Sequence, residues 1–287
     1  MSRTDPPVLV LGATGGQGGA VVNALLERGY PVRALVRRPD SPRVRRLSER
    51  GVEAVAGSLD DRSALGAAMR DVAGVFAVTT PFEAGPEMEV AQGRAIVAAA
   101  VDAQVPHLVF SSVAGADQHS GVPHFESKAI IEAELAASGL PYTITAPTYF
   151  YDNALGGVDR IYAGILDLPL PPDRSLQQLA RSDLGAFVTK VLSDPKPYVG
   201  KRIELASDDP TPAQMTEALG TALGRPVRLE QTPLESIRST DMHAMWSFLN
   251  GPGYQVDLAD LHAANSDIEW QSFAAWAQQT FESGGGA

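Results

Sequence analysis

Residues 7–19, PVLVLGATGGQGG, leave the chain little freedom in how it begins. Val8, Leu9, Val10 and Leu11 form the short apolar run that a parallel strand buried on both faces needs. Glycines follow at 12, 15 and 18, and residues 20–26 then place their apolar side chains at helical spacing. A strand, a glycine turn and a helix in this order build a seat for the pyrophosphate of a dinucleotide. Gly12 can turn sharply, Gly15 lets the backbone approach an anion, and Gly18 lets helix and strand pack closely. The helix N-terminus adds unpaired N–H groups and the positive end of its dipole. Thr14 and Gln17, inside the turn, are placed with the three glycines at the cofactor. A glycine-rich loop that merely turns the chain is the plainer alternative.

Residues 32–36, VRALV, read as a second strand that ends in Arg37-Arg38-Pro39-Asp40. The end of this strand reaches the adenosine ribose. A carboxylate there accepts from the 2′-OH, whereas arginine suits a 2′-phosphate. No carboxylate precedes Asp40, so the strand end points to NADP(H), with Arg37 as the main contact; two solvated arginines are the alternative. A short helix at 42–50 and a third strand at 52–55 follow. Asp60 then either accepts from the adenine amino group or caps the helix near Arg62, with Asp61 able to take the cap instead. Leu59 is placed beside it at the cofactor.

A fourth strand at 74–78 leads into Thr79-Thr80-Pro81-Phe82, at the carboxyl end where a parallel sheet borders its cofactor. Thr79, Thr80 and Pro81 are expected at the cofactor and Phe82 at the substrate. After a helix at 87–103, the fifth strand runs into Ser111, expected at the cofactor, and Ser112, expected at the substrate; both could instead satisfy loop backbone groups. In HFESK, His124 and Lys128 are four residues apart and share one helix face. Lys128 is a cation suited to ribose hydroxyls. His124 could pass a proton to a substrate oxygen, or simply decorate the surface. The sixth strand, 142–145, is followed by Pro147, Tyr149 and Phe150, expected at the cofactor, with the two rings also lining the substrate pocket; a plain hinge with core aromatics is the alternative.

Strand and helix alternate up to this point, which predicts an α/β fold with a doubly wound parallel sheet. The expected division is 1–154 for dinucleotide binding, 155–282 for a smaller α/β lobe with a possible strand crossing back, and 283–287 for a disordered tail. In the second part, 165–172 reads as a substrate-side loop, 177–180, 201–206 and 228–230 as strands, and 235–249 as a helix. Asp183 and Thr211 read as helix caps, and the rings of Phe273 and Trp276 as core.

Composition narrows the function. With 34 acidic against 23 basic residues in 287, the net charge of -11 repels nucleic acid on average. The arginines gathered between positions 33 and 46 are the local exception. The absence of cysteine excludes disulfides, thiolate metal sites and cysteine nucleophiles, and is compatible with a reducing compartment. MSRTDPP lacks an apolar leader and no apolar run spans a bilayer, so a cytoplasmic protein is expected. No metal site is expected.

The motifs GATGGQGG, RALVRRP, AGSLDD, VPHFESK, SGLPYTITAP, RSDLGAFV and SFAAW, in this order, resemble the NmrA-like family, atypical members of the short-chain dehydrogenase/reductase superfamily. The resemblance implies a Rossmann domain with a smaller C-terminal lobe closing the cleft. Gly12, Gly15 and Gly18 fall on the pyrophosphate positions and Arg37 on the 2′-phosphate position. Lys128 falls on the superfamily's YxxxK lysine, with His124 in place of its tyrosine; Ala146 stands where many relatives carry arginine. The resemblance implies an NADPH-dependent reductase of a quinone or similar small aromatic electrophile. The alternative it allows is an NADP(H)-sensing regulator that acts through a protein partner without turnover. A monomer or a homodimer is expected.

Overall fold

The structure, a computed structural model, describes residues 5–282; the tail expected at 283–287 lies outside the described residues. The chain alternates β1 (Val8–Leu11), α1 (Gly16–Glu27), β2 (Val32–Val36), α2 (Pro42–Glu49), β3 (Glu53–Ala56), α3 (Arg62–Ala68), β4 (Gly74–Val78), α4 (Pro86–Asp102), β5 (Leu108–Ser111), α5 (Pro123–Ala137) and β6 (Tyr142–Pro147). There follow β7 (Tyr149–Phe150), α6 (Val158–Tyr162), β8 (Ile165–Leu168), β9 (Gln178–Leu179), α7 (Arg181–Ser193), β10 (Lys201–Leu205), α8 (Pro212–Leu223), β11 (Arg228–Gln231), α9 (Thr240–Asn250), α10 (Leu258–Ala264) and α11 (Phe273–Glu282).

The main sheet runs in the order β10-β6-β5-β4-β1-β2-β3. Its pairs from β3 through β6 are parallel, as the expected doubly wound α/β fold requires. The winding reverses between β1 and β4, and the carboxyl ends of those two strands are where a sheet of this kind takes a ligand. All four residues of β1 are buried, and Leu9, Leu11, Leu65, Met69, Ile96 and Phe110 fill the core against one face of the sheet. Each such side chain contributes roughly 1.5–3 kcal/mol by leaving water.

Contacts divide the chain into two compact units. The first comprises the chain through Ala116, His124–Ala146 and Leu184–Ile203; the second comprises Asp117–Pro123, Pro147–Asp183 and the chain from Glu204 onward. In the second unit, β8 pairs in parallel with β11, and β7 with β9. Tyr151 is buried against Phe273 and Trp276 and donates its hydroxyl to the Gln271 carbonyl at 2.9 Å. Thr211 caps α8 in a reciprocal box with Gln214.

Three expectations in this half are corrected. Residues 165–168 form β8 rather than a loop, because the alternating burial of ILDL gives it a strand's inner face. The helix expected from 235 starts only at Thr240, where Ser239 supplies the cap, after a short turn at Leu234–Ser236. Asp183 does not cap α7; its carboxylate accepts from the Ser207 hydroxyl at 2.6 Å and the Gln271 N–H at 2.8 Å. Among the described residues no helix is long and apolar enough to cross a membrane.

A buried polar knot joins β4, α4, β5 and α5. Lys128, 6% exposed, donates to the Thr79 carbonyl at 2.9 Å, Thr79 Oγ1 at 3.0 Å and the Ser111 carbonyl at 3.2 Å, and its Nζ lies 3.1 Å from Glu89 Oε1. Glu89 is fully buried and also accepts from the Thr79 and Ser127 hydroxyls. Burial lowers the Lys128 pKa, while Glu89 and then Glu132 work to raise it. Removing one member leaves the other as an uncompensated charge in a low-dielectric interior. Lys128→Met is therefore expected to cost about 3–5 kcal/mol in urea unfolding. Adding Glu89→Gln should recover much of that loss; a double variant no more stable than the single one would contradict the pairing.

His107, just before β5, is a second buried polar group, 2% exposed. Thr143 donates its only hydroxyl hydrogen to the Tyr198 carbonyl at 2.9 Å, so the 2.8 Å contact between His107 Nε2 and Thr143 Oγ1 requires the ring proton on Nε2. Nδ1 is left without a partner among the described residues. Burial lowers the His107 pKa to about 4. The folded value lies below the unfolded one, so the unfolded chain binds more protons between them. The neutral ring's contribution is full above the unfolded pKa and is lost as the pH falls toward 4. Unfolding free energy should drop by about 1–2 kcal/mol more between pH 7 and pH 5 in the natural chain than in His107→Gln. Equal slopes for the two chains would refute it.

Candidate functional site

The turn after β1 is built by close backbone approach. Gly12 has φ +76° and accepts the Gly15 N–H at 2.9 Å. A Cβ at Gly18 would lie 2.5 Å from the Gly12 carbonyl carbon and 2.9 Å from the Ala13 nitrogen, both backbone atoms that cannot step aside. Gly15 occupies the N-cap of α1 without a side-chain hydrogen bond, and the first turn carries no acidic residue. By contrast Ser41 caps α2 and Asp61 caps α3 with their own oxygens. The N-terminal N–H groups of α1 are thus left for a ligand anion such as a pyrophosphate, with the helix held close to the strand by the bare Gly18. Thr14 is exposed at the rim of the turn. Gln17 instead accepts the Ser111 hydroxyl at 2.6 Å, tying the first turn of α1 to the end of β5.

At the end of β2, Arg37 is exposed and forms a two-pronged ion pair with Glu83, Nη1–Oε2 2.7 Å and Nη2–Oε1 3.0 Å. Its pKa is raised by Glu83 and, more weakly, by Asp60. Arg38 is exposed beside it. Asp60 is exposed and accepts from Gln92 Nε2 at 3.1 Å, while Asp61 takes the helix cap through the Ala64 N–H. Leu59 packs against the apolar core.

Beyond β4, Thr79 belongs to the Lys128 knot, and Thr80 is exposed with its hydroxyl accepting the Phe82 N–H. Pro81 is half-buried. Phe82 is 70% exposed, and its ring lies 5.6 Å from that of His124, which meets Phe125 edge-on at 4.7 Å. On α5, Lys128 points to the ends of β4 and β5, bringing Thr79, Ser111 and Lys128 together. The ammonium has three N–H donors and four acceptor oxygens around it. Ser112 is 3% exposed and donates to Glu132, which also accepts from Arg202 Nε at 2.9 Å; Arg202 in turn donates to the Val113 carbonyl.

Pro147, Tyr149 and Phe150 belong to the second unit. Tyr149 lies 5.5 Å from Trp246 ring to ring, and burial pushes its phenol up to about 12 against a hydrogen bond with Asn153. Arg181 sits 6.0 Å from the centre of the Phe150 ring and pairs with Asp152 at 3.2 Å.

Sequence reasoning missed Glu83, Glu89, Glu132 and Arg202. Glu132 had a signal: it lies four residues beyond Lys128, on the same face of α5. Glu89 reads as an ordinary acidic residue in the first turn of a helix, and Glu83 as one charge in a loop; nothing local marks either.

The chain matches the NmrA-like family over residues 4–274. It is 32% identical over 239 residues to a (4-alkanoyl-5-oxo-2,5-dihydrofuran-3-yl)methyl phosphate reductase of Streptomyces griseus, covering 82% of this chain and 80% of that protein. It is 30% identical over 254 residues to an NAD(P)H azoreductase of Xenophilus azovorans, covering 88% of this chain and 84% of that one. In fold it is similar to an NADPH-dependent quinone oxidoreductase from Escherichia coli, with a TM-score of 0.80 at 22% identity over 96% of this chain and 99% of that chain. A family match over nearly the whole length, with relatives at 30% identity and above that are themselves mostly covered, settles the kinship: the chain belongs to the NmrA-like family.

Proposed function

We propose that this chain is an NADP(H)-dependent reductase that delivers a hydride to a small, flat electrophile such as a quinone. One observation carries the reading: an uncapped α1 N-terminus behind a glycine cradle, in the same unit as an arginine closing β2. Gly12, Gly15 and Gly18 would hold the pyrophosphate through backbone N–H groups, and Arg37 the 2′-phosphate. The bound dinucleotide would supply the hydride. The relatives that carry printed reductase names support the same class of chemistry.

The chain's own residues would bind, orient and exclude water. Lys128 is held at the ends of β4 and β5 by Thr79, Ser111 and Glu89. With its three donors met by those protein oxygens, it would act by positioning the ends of β4 and β5. With histidine at 124, an imidazole stands where the superfamily's YxxxK has its phenol. His124 would hold the proton that follows the hydride, and its ring would form with Phe82 the aromatic wall against which a flat acceptor lies. A quinone asks less of a protein acid than an isolated ketone does, because its reduced oxygen is already a stabilised phenolate.

NADPH oxidation against a panel of quinones and azo dyes tests this. Turnover with at least one acceptor is expected, reduced by about 10–100-fold in His124→Ala. Tight NADPH binding without turnover across the panel would replace the reductase by the regulator reading. Arg37→Ala should weaken NADPH about 10–100-fold in a binding titration, the worth of a charge-assisted contact, and leave NADH nearly unchanged. Equal loss for the two dinucleotides would remove Arg37 from the 2′-phosphate.

A further inference from the structure

The Arg37 that the proposed function assigns to the 2′-phosphate already holds a carboxylate. We infer that Glu83 acts as an internal stand-in for that phosphate: it occupies the fork of Arg37 and sets how strongly the chain prefers phosphorylated over unphosphorylated cofactor.

Three observations carry this. The contact is two-pronged, one carboxylate oxygen to each terminal nitrogen, which is the geometry by which a guanidinium grips two oxygens of a phosphate. Both side chains are more than half exposed, at 68% and 59%, so the pair is weak and exchangeable. Glu83 stands on the loop after β4 and Arg37 at the end of β2, so the pair bridges the two strands that flank β1. A 2′-phosphate arriving at Arg37 must displace Glu83 or share the guanidinium with it. The first forfeits an ion pair and the second sets a carboxylate against a dianion. Asp60, which also acts on Arg37, adds to the negative field, and Arg38 next in the chain opposes it. A 2′-OH needs neither the fork nor a cation and escapes the penalty. Glu83 would therefore narrow the gap between NADPH and NADH without touching the pyrophosphate seat.

This rests on the cofactor reading, and the test separates the two. The full chain, Glu83→Gln, Glu83→Ser, Arg37→Ala and Glu83→Gln/Arg37→Ala are each titrated calorimetrically with NADPH, NADH, adenosine 2′,5′-bisphosphate and AMP, after thermal melts check their folding. Both Glu83 variants are expected to bind NADPH and the bisphosphate about three- to tenfold more tightly, and NADH and AMP within about twofold of the natural chain. In the Arg37→Ala background the Glu83 substitution should lose most of that gain. Unchanged or weaker NADPH binding in both Glu83 variants overturns the inference and leaves the cofactor reading standing. An equal gain for NADH does the same, because it would report general charge relief. A natural chain that binds neither dinucleotide overturns both.

Discussion

The first helix can meet the first strand only because two stretches of backbone touch. Gly18 lies so close to the Gly12 carbonyl that any side chain would drive the helix off the strand. From that approach follow the direction of α1, the aim of its free N–H groups, and the position of the turn in the gap where the sheet reverses its winding. Gly12, held at positive φ, adds a conformational demand to the steric one. The seat is defined by what is missing from three residues, and no side chain has to be ordered to complete it.

Next to this bare backbone the protein has placed an ionic interior. Taking Lys128 and Glu89 out of water costs several kcal/mol for each ion. Their mutual attraction, two hydroxyls and two carbonyls offset that cost. Such an arrangement adds little net stability but has one geometry. It fixes the end of β4, the end of β5 and the start of α4 to α5. Glu132, Ser112 and Arg202 repeat the device one turn further along α5.

Much of this could be read from residues alone, and the reason is locality. The glycine spacing, the apolar runs, the Asp61 and Thr211 caps and the arginine at the end of β2 are short-range signals, each with its own physical demand. The knot was half legible: Lys128 stood out beside His124, but its partner Glu89 comes from a different helix, 39 positions away in sequence. The pair of Arg37 with Glu83 is hidden for the same reason, since the sheet and not the chain makes them neighbours. In the second unit, ILDL passed for a loop because four residues beside prolines show too short an alternation to stand out. Asp183 passed for a cap because Ser207 and Gln271, its actual partners, are distant in sequence.

The bareness of the turn also decides where such a chain can diversify. Because a side chain at 18 would run into backbone and one at 12 would sit at a positive φ against Val78, substitutions there disturb the scaffold before they can retune what it binds. Exposed strand ends carry no such restriction: Arg37, Arg38, Asp60 and Glu83 all face water and can be exchanged at small structural cost. On the proposed function, drift or engineering of ligand choice would thereby be channelled to the end of β2 and the loops beside it, while the glycine turn keeps its shape.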